Sequence, residues 1–309
     1  MLSVVDGIFI FVIISESVLG TLGNGFIGLV NCIDCAKHKF STIGFILTGL
    51  AISRICLIWL LIADGFMHIF SPDIYLSNAF NLVEGISYFW LIINQSSIWF
   101  ATSLSIFYFL KIANFSNTIF LWLKNRINRI PTFLMGCLLI SWLLSFPHTV
   151  KMFNDHKMKN ATVWLFNMNR SEYFIKQVLL NLGVIFSFTL SLITCVLLII
   201  SLWRHNRQMQ LNLTGFRDVN TEAHVKAMKV LVSFIILFIL YFVSIIIEIS
   251  IFSVPENKLL LMFGITTSVI YPWGHSFILI LGNSKLKQAS LRALQQLKCC
   301  EKRKSLRAT

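Results

Sequence analysis

The acidic and polar side chains that could do chemistry in this chain are few, and they stand apart from one another. A hydrolase would need paired carboxylates. The acids inside the apolar segments are instead scattered over different segments: Glu16, Asp64, Glu84 and Glu248. The sequence has no HExxH helix, phosphate-binding loop, Gly-x-Ser-x-Gly turn or His/Cys cluster with metal-ligand spacing. We therefore predict neither an enzyme nor a metal or cofactor site.

Arg54, in LAISRICL, and Asn24, in LGNGFIGLVN, are polar residues of another kind, because each lies deep in an apolar segment. An arginine inside a membrane is costly and normally faces the interior of a bundle with partners. No acid lies at its depth, so we expect it to bond Asn24, backbone carbonyls and polar groups near His275 and Ser276. Two interpretations stay open, a network that switches between states and a static clamp between helices. A lone histidine here is more often a structural hydrogen bonder than a proton switch.

The composition shows which elements must position these residues. Of the 309 residues, 56% are hydrophobic and 13% charged, and the mean hydropathy is +0.77. A soluble chain carries about a quarter charged residues, and a membrane-spanning helix needs about 20 mostly apolar ones. We predict an all-α membrane protein with a seven-helix bundle over 1–283 and a cytoplasmic tail over 284–309. The predicted spans are 7–33, 43–65, 82–110, 130–149, 178–203, 227–252 and 258–281.

The basic residues orient this bundle. A net charge of +13 could suggest nucleic acid, but the lysines and arginines fall between apolar spans rather than on a compact domain. Most of them follow spans one, three and five or lie in the tail, which places the N-terminus outside and the tail inside. On this topology two acceptor triplets for N-glycosylation, at Asn160 and Asn169, lie in the long outer loop.

The tail sequence KLKQASLRALQQLKCC has one apolar stripe among basic and amide residues. This pattern predicts an amphipathic helix lying on the cytoplasmic leaflet. Cys299 and Cys300 end the helix at a position where palmitoylation is possible. Two ordinary reduced cysteines are the alternative.

Several motifs together resemble one family over essentially the whole chain. They are LGNGFI in span one, LAISR in span two, FYFLKIANFS closing span three, LLIISLW ending span five, TEAHVKAMK entering span six and HSFILILGNSKLK ending span seven. The chain resembles the bitter taste receptors, taste receptor type 2, which are seven-helix G-protein-coupled receptors of the plasma membrane. The resemblance implies a gustducin-type heterotrimeric G protein as partner. It assigns coupling to Tyr108 and Lys111 at the end of span three and to His224 and Lys229 at the entry of span six.

The resemblance also implies a ligand site for bitter small molecules between spans three, five, six and seven, in the outer half of the bundle. Trp90 and Asn94 match the family's contact positions on span three. At i and i+4 they share one helix face, with Ser87 one turn above. An aromatic ring with an amide below suits flat, weakly basic molecules. The other candidates are Glu248 and Asp64 to face an amine, Gln177 and Tyr173 at the outer start of span five, Tyr241 below the pocket, and Ile265 on span seven.

Two alternatives accompany this interpretation. Trp90 could instead pack at the lipid interface or in the core. The whole chain could instead be a polytopic small-molecule transporter or channel. A transporter usually shows internal repeats with Gly/Pro-broken spans in matching halves, whereas these seven spans divide into no two halves. Ligand-dependent nucleotide exchange on a purified G protein would distinguish a receptor from a transporter.

Overall fold

The computed structural model describes residues 4–37, 41–70, 80–113, 115–158, 181–212, 219–251 and 258–308. Within these ranges the chain forms nine α-helices, one 3-10 turn over Ile127–Arg129 and no strand. The helices are α1 Val4–Lys37, α2 Thr42–Phe70, α3 Phe80–Ile112, α4 Thr118–Asn125, α5 Ile130–Met158, α6 Leu182–Asn212, α7 Val219–Ile251, α8 Lys258–Gly282 and α9 Ser284–Ala308.

The seven predicted spans correspond to α1, α2, α3, α5, α6, α7 and α8, which confirms the expected all-α bundle. Six of the helices form a closed ring in which α1 packs on α2, α2 on α3, α3 on α6, α6 on α7, α7 on α8, and α8 on α1. Helix α5 packs on the outside of this ring against α3. Helix α3 therefore has neighbours on most of its sides.

The central position of α3 explains its composition. The other six of these seven helices are each long and apolar enough to cross a membrane, whereas the mean hydropathy of α3 is too low to meet the same criterion. Its polar residues point inward, because Asn94, Gln95, Ser97 and Thr102 are all fully buried. Gln95 joins α3 to α5, since its amide donates to Ser145 at 2.9 Å and accepts from Ser141 at 3.2 Å.

The fourth span is longer than expected. The predicted span is 130–149, whereas α5 runs from Ile130 to Met158 and contains Pro147. Pro131 lies in the first turn, where a helix tolerates proline because that backbone N–H has no intrahelical partner. A proline further inside a membrane helix is tolerated because neighbouring helices can satisfy the freed carbonyl. The long outer loop that follows, with Asn160 and Asn169, lies outside the described residues.

Glycines allow the helices around α1 to approach closely. A Cβ placed on Gly20 would lie 2.6 Å from Cδ1 of Ile58 on α2 and 3.1 Å from Cβ of Trp273 on α8. A Cβ on Gly25, five residues later in the same helix, would meet no atom within 4 Å. The first glycine is therefore required by packing, and the second is not.

Alanine at these two positions is expected to have opposite effects. Gly20→Ala should lower the thermal unfolding midpoint of the purified protein, because overpacking a tight contact costs about 1–3 kcal/mol. Gly25→Ala should leave the midpoint unchanged or raise it, since alanine is about 1 kcal/mol better than glycine in a helix. Equal midpoints for the two variants would contradict the packing of α1 between α2 and α8.

Candidate functional site

Asn94 and Trp90, two of the predicted ligand residues on α3, face the interior of the bundle. Asn94 is fully buried, and its side-chain oxygen accepts a hydrogen bond from the hydroxyl of Tyr241 on α7. The amide nitrogen of Asn94 has no hydrogen-bond partner among the described residues. A buried amide with a free donor costs free energy unless a ligand or water accepts from it. Asn94 can therefore orient an acceptor group of a bound molecule.

Trp90 lies one turn from Asn94 and packs, partly buried, against the main apolar core cluster of the bundle. Its neighbour Phe89 is 64% exposed, and Trp59 on α2 is 56% exposed, as lipid-facing aromatics would be. The structure therefore places Trp90 against the core of the bundle and not at the lipid interface.

Aromatic rings continue this surface across the bundle. Phe188 on α6 packs against the same core cluster as Trp90 and stacks on Phe242 of α7, with ring centroids 4.5 Å apart. It also lies 4.8 Å from the ring of Phe238. The sequence did not single out Phe188 or Phe242, because 28 phenylalanines offer no means of choosing between them.

The other predicted ligand residues are less clearly placed. Asp64 is half-buried on α2. Ile265 is buried on α8, with its Cδ1 2.8 Å from the position of a Cβ on Gly65, so it packs against α2. Ser87 and Glu248 lie on α3 and α7, but their side chains are not among those described. Gln177 and Tyr173 lie outside the described residues.

Below Asn94 the structure forms a second polar centre. The guanidinium of Arg54 donates to the hydroxyl of Tyr271 at 3.0 Å and lies 4.8 Å from the centroid of the same ring. The Tyr271 ring in turn lies 4.9 Å from the Tyr241 ring and 5.8 Å from the His275 ring. A line of contacts therefore joins Asn94 on α3 to Arg54 on α2 through one aromatic residue on each of α7 and α8.

Asn24 has its own partners on α8. Its amide nitrogen donates to the Pro272 carbonyl at 3.2 Å and to the Gly20 carbonyl at 2.9 Å, and its oxygen accepts from Ser276 at 2.7 Å. The expected bond between Arg54 and Asn24 is therefore not formed, because these three bonds use the amide of Asn24. The partner of Arg54 is instead Tyr271, next to Pro272, which the sequence analysis did not single out.

At the cytoplasmic end, FYFLKIANFS turns α3 into the short helix α4. The rings of Phe109, Phe115 and Phe120 lie 5.4–6.0 Å from one another. The ammonium of Lys124 donates to the Ala113 carbonyl at 3.1 Å. The turn is thus stabilised by an aromatic cluster and by one hydrogen bond from a lysine ammonium to a backbone carbonyl. Asn117 caps α4 by accepting from the backbone N–H of Ile119.

The residues predicted for coupling surround this turn. Tyr108 packs between the two lower core clusters of the bundle. Lys111 is exposed, with its ammonium 5.7 Å from the Phe107 ring centroid, and Lys229 on α7 is exposed. The side chain of His224 is not described. These positions suit contact with a partner in the cytoplasm.

Asn283 begins the tail helix α9. Its side-chain oxygen accepts from the backbone N–H of Lys285 at 3.0 Å. Lys285 forms an ion pair with Asp34 of α1, and Leu286 is fully buried in a core cluster of the bundle. The tail helix predicted from the sequence is therefore packed on the bundle rather than separate from it. Cys299 is exposed, and the side chain of Cys300 is not described.

A ring of six helices with a seventh packed outside it and buried polar residues on α3 is the kind of bundle that G-protein-coupled receptors form. The family model for taste receptor protein (TAS2R) matches residues 1–298. The chain is 80% identical over 304 residues to taste receptor type 2 member 10 of Pongo pygmaeus, covering 98% of each chain. It is 77% identical to member 10 of Homo sapiens and 58% identical to member 114 of Mus musculus, covering both chains completely in each case.

The chain therefore belongs to the taste receptor type 2 family, the bitter taste receptors. The family expected from FYFLKIANFS and HSFILIL is confirmed. Membership makes the protein a multi-pass membrane receptor and favours this class over the transporter or channel that the spans alone left open.

Proposed function

We propose that this receptor binds bitter small molecules in the outer half of the bundle, between α3, α6, α7 and α8. The observation that supports this site best is Asn94, whose free amide donor is buried one turn below the Trp90 ring. Such a site offers one hydrogen-bond donor surrounded by aromatic surface, as small-molecule pockets do. It suits a flat and largely apolar molecule that carries an acceptor group. Ser87, Tyr173, Gln177 and Ile265 are proposed to complete its wall.

The contacts below the site offer a route from ligand to coupling surface. A ligand bonded to Asn94 acts on the side chain whose oxygen holds the Tyr241 hydroxyl. Tyr241 packs on Tyr271, which holds Arg54. These side chains can adopt more than one arrangement. An agonist that binds one arrangement more tightly than another shifts the receptor toward the first, by at most the difference between its two binding free energies. We propose that Arg54, Asn24, His275 and Ser276 form a network that switches between states, rather than a static clamp between helices.

At the cytoplasmic side we propose that Tyr108, Lys111, His224 and Lys229 contact a gustducin-type heterotrimeric G protein at the plasma membrane. A lysine at a helix C-terminus is favoured by the helix dipole, so Lys111 can remain charged and available to an acidic partner surface. We also keep Asn160 and Asn169 as glycan acceptors, Cys299 and Cys300 as palmitoylation sites, and 1–283 and 284–309 as the receptor domain and its tail.

A calcium-response screen tests the proposed activity. Cells that express this chain with a promiscuous G protein are exposed to a panel of bitter compounds, beside cells that express the G protein alone. At least one compound is expected to raise calcium only where the receptor is present. A panel without any receptor-dependent response, on cells with the protein at their surface, would count against the proposal.

Glu248 is predicted to read the amine charge of basic agonists. An acid in the outer bundle costs free energy unless it is hydrated or paired, and a ligand ammonium would relieve that cost. Glu248→Gln should weaken a basic agonist by about 1–3 kcal/mol, which is about 5- to 150-fold in dose-response midpoint, and should spare its neutral analogue. Asp64→Asn is the matched control on α2. Equal shifts for the two agonists would exclude Glu248 as the charge reader, and a selective shift in Asp64→Asn would transfer the role to Asp64.

A further inference from the structure

Arg54 is a buried cation without a paired anion at the centre of the bundle. Its side chain is 0% exposed, and only Nη2 of its guanidinium makes a hydrogen bond, to the neutral Tyr271 hydroxyl. Its Nε and Nη1 find no acceptor among the described residues. One ion pair of the described residues, Asp34 with Lys285, lies at the cytoplasmic end. Asp64 lies ten residues along α2, a distance of about 15 Å at 1.5 Å per residue.

A charge in this position has to be neutralised. The guanidinium cannot lose its proton under any condition in which the protein is folded. Taking such an ion out of water without a partner costs several kcal/mol even after the structure relaxes. The Tyr271 hydroxyl supplies a dipole but no charge. The bundle therefore requires a negative species that the described side chains do not provide.

The unpartnered polar groups nearby share one property, which is that they can donate. Asn94 Nδ2 and Ser97 Oγ are both on fully buried residues of α3 and make no hydrogen bond in the described structure. His275 Nδ1, on the ring that stacks with Tyr271, is likewise unpartnered. At i and i+3, Asn94 and Ser97 lie on one face of α3.

Arg54 and Ser97 lie within about one helical turn of the same height, because a Cβ on Gly49, five residues before Arg54, would meet the ring of Phe100, three residues after Ser97. Ile98 follows Ser97, and Leu57 lies one turn after Arg54. Both of these apolar residues belong to the core cluster that also contains Tyr271 and Tyr241. Helices α2 and α3 pack side by side along this stretch. The free guanidinium nitrogens and the free hydroxyl thus lie around one region between α2, α3 and α8.

A water molecule satisfies these groups poorly. Water accepts about two hydrogen bonds and needs acceptors for its own two hydrogens, whereas most of the unpartnered atoms are N–H donors, and only the Ser97 hydroxyl and a neutral His275 Nδ1 could accept in return. Water also leaves the charge in place. A monatomic anion accepts from several donors at once, needs no acceptor in return, and neutralises the guanidinium.

We propose that a small monovalent anion, chloride under cellular conditions, binds to Arg54 with the Ser97 hydroxyl as a second donor. The anion stabilises the packing of α2 against α3 and α8. This site lies below the proposed agonist site, and its existence does not depend on agonist binding.

The test is a thermal unfolding series on the purified full-length receptor in lipid nanodiscs. Sodium chloride replaces sodium gluconate, an anion too large for a buried site, at a constant ionic strength of about 0.15 M. The unfolding midpoint is expected to rise by about 2–4 °C and to saturate with chloride, as for any ligand that binds only the folded state. A midpoint that is the same in both salts would overturn the proposal.

Three variants locate the effect. Arg54→Gln should abolish the chloride dependence, and Lys285→Gln, which removes an exposed cation, should retain it. Ser97→Ala should raise the half-saturating chloride concentration about threefold or more. If Ser97 were only a packing residue, its alanine variant would leave that concentration unchanged, because its hydroxyl has no protein partner to lose. Should Arg54→Gln fail to fold, an unchanged half-saturation in Ser97→Ala would by itself overturn the proposal, as would chloride dependence retained in a folded Arg54→Gln.

Discussion

Trp90→Ala is expected to weaken every agonist of this receptor, basic or neutral, by about 10- to 100-fold in dose-response midpoint. This corresponds to about 1.4–2.8 kcal/mol, the range found when a buried aromatic anchor is truncated. The reason is stacking area, which is lost whatever charge the ligand carries. The maximal response should remain, because Trp90 lies far from the cytoplasmic end of α3.

The matched control is Trp59→Ala. Trp59 is a tryptophan of α2 that is 56% exposed on the outer surface of the bundle, whereas Trp90 packs against the core cluster. The control should leave all agonist midpoints within about threefold of wild type. Equal losses in the two variants, measured at equal surface expression, would show that Trp90 acts through stability and not through ligand contact.

Tyr108→Ala is expected to cut the maximal signal severely while leaving agonist affinity within about threefold. Tyr108 lies 18 residues beyond Trp90 on the same helix, about 27 Å away at 1.5 Å per residue. Its ring packs between two core clusters at the cytoplasmic end of the bundle. Removing the ring therefore disturbs the surface offered to the G protein without touching the ligand.

Tyr108→Phe separates the two contributions. It keeps the ring and removes only the hydroxyl, so it should give a maximal signal between those of wild type and Tyr108→Ala. Radioligand or fluorescence binding on the same membranes measures the affinity. A large loss of affinity in either variant with an intact maximal signal would contradict a coupling role for Tyr108.

The bundle could be predicted from the sequence because each span is a long run of apolar residues, which can be recognised without knowing its neighbours. All seven spans were predicted as apolar segments long enough to cross a membrane. The third span is the most polar of them because it lies at the centre, where its polar residues meet other helices rather than lipid. Its length was still sufficient to predict it. The extension of α5 beyond residue 149 to Met158 was not predicted.

Pairwise contacts were harder to predict than helices. The sequence indicated that Arg54 needed a partner but not that Tyr271 would be that partner, because residues 217 positions apart meet only through the packing of α2 and α8. Asn94 and Tyr241 were each predicted near the ligand site, but the bond between them was not predicted. Phe188 and Phe242 were indistinguishable from the other phenylalanines. Helix faces can be derived from periodicity, whereas partners across helices depend on rotations that no single segment encodes.

The most direct test of the whole account is agonist-dependent nucleotide exchange on a purified gustducin-type heterotrimer by receptor in nanodiscs. Wild-type receptor should accelerate exchange in a saturable way. Trp90→Ala should require about 10- to 100-fold more agonist to reach an unchanged maximal rate, and Tyr108→Ala should reach a lower maximal rate at an unchanged midpoint. Exchange that does not respond to agonist, or two variants that alter midpoint and maximal rate in the same way, would contradict a ligand site and a coupling surface at opposite ends of α3.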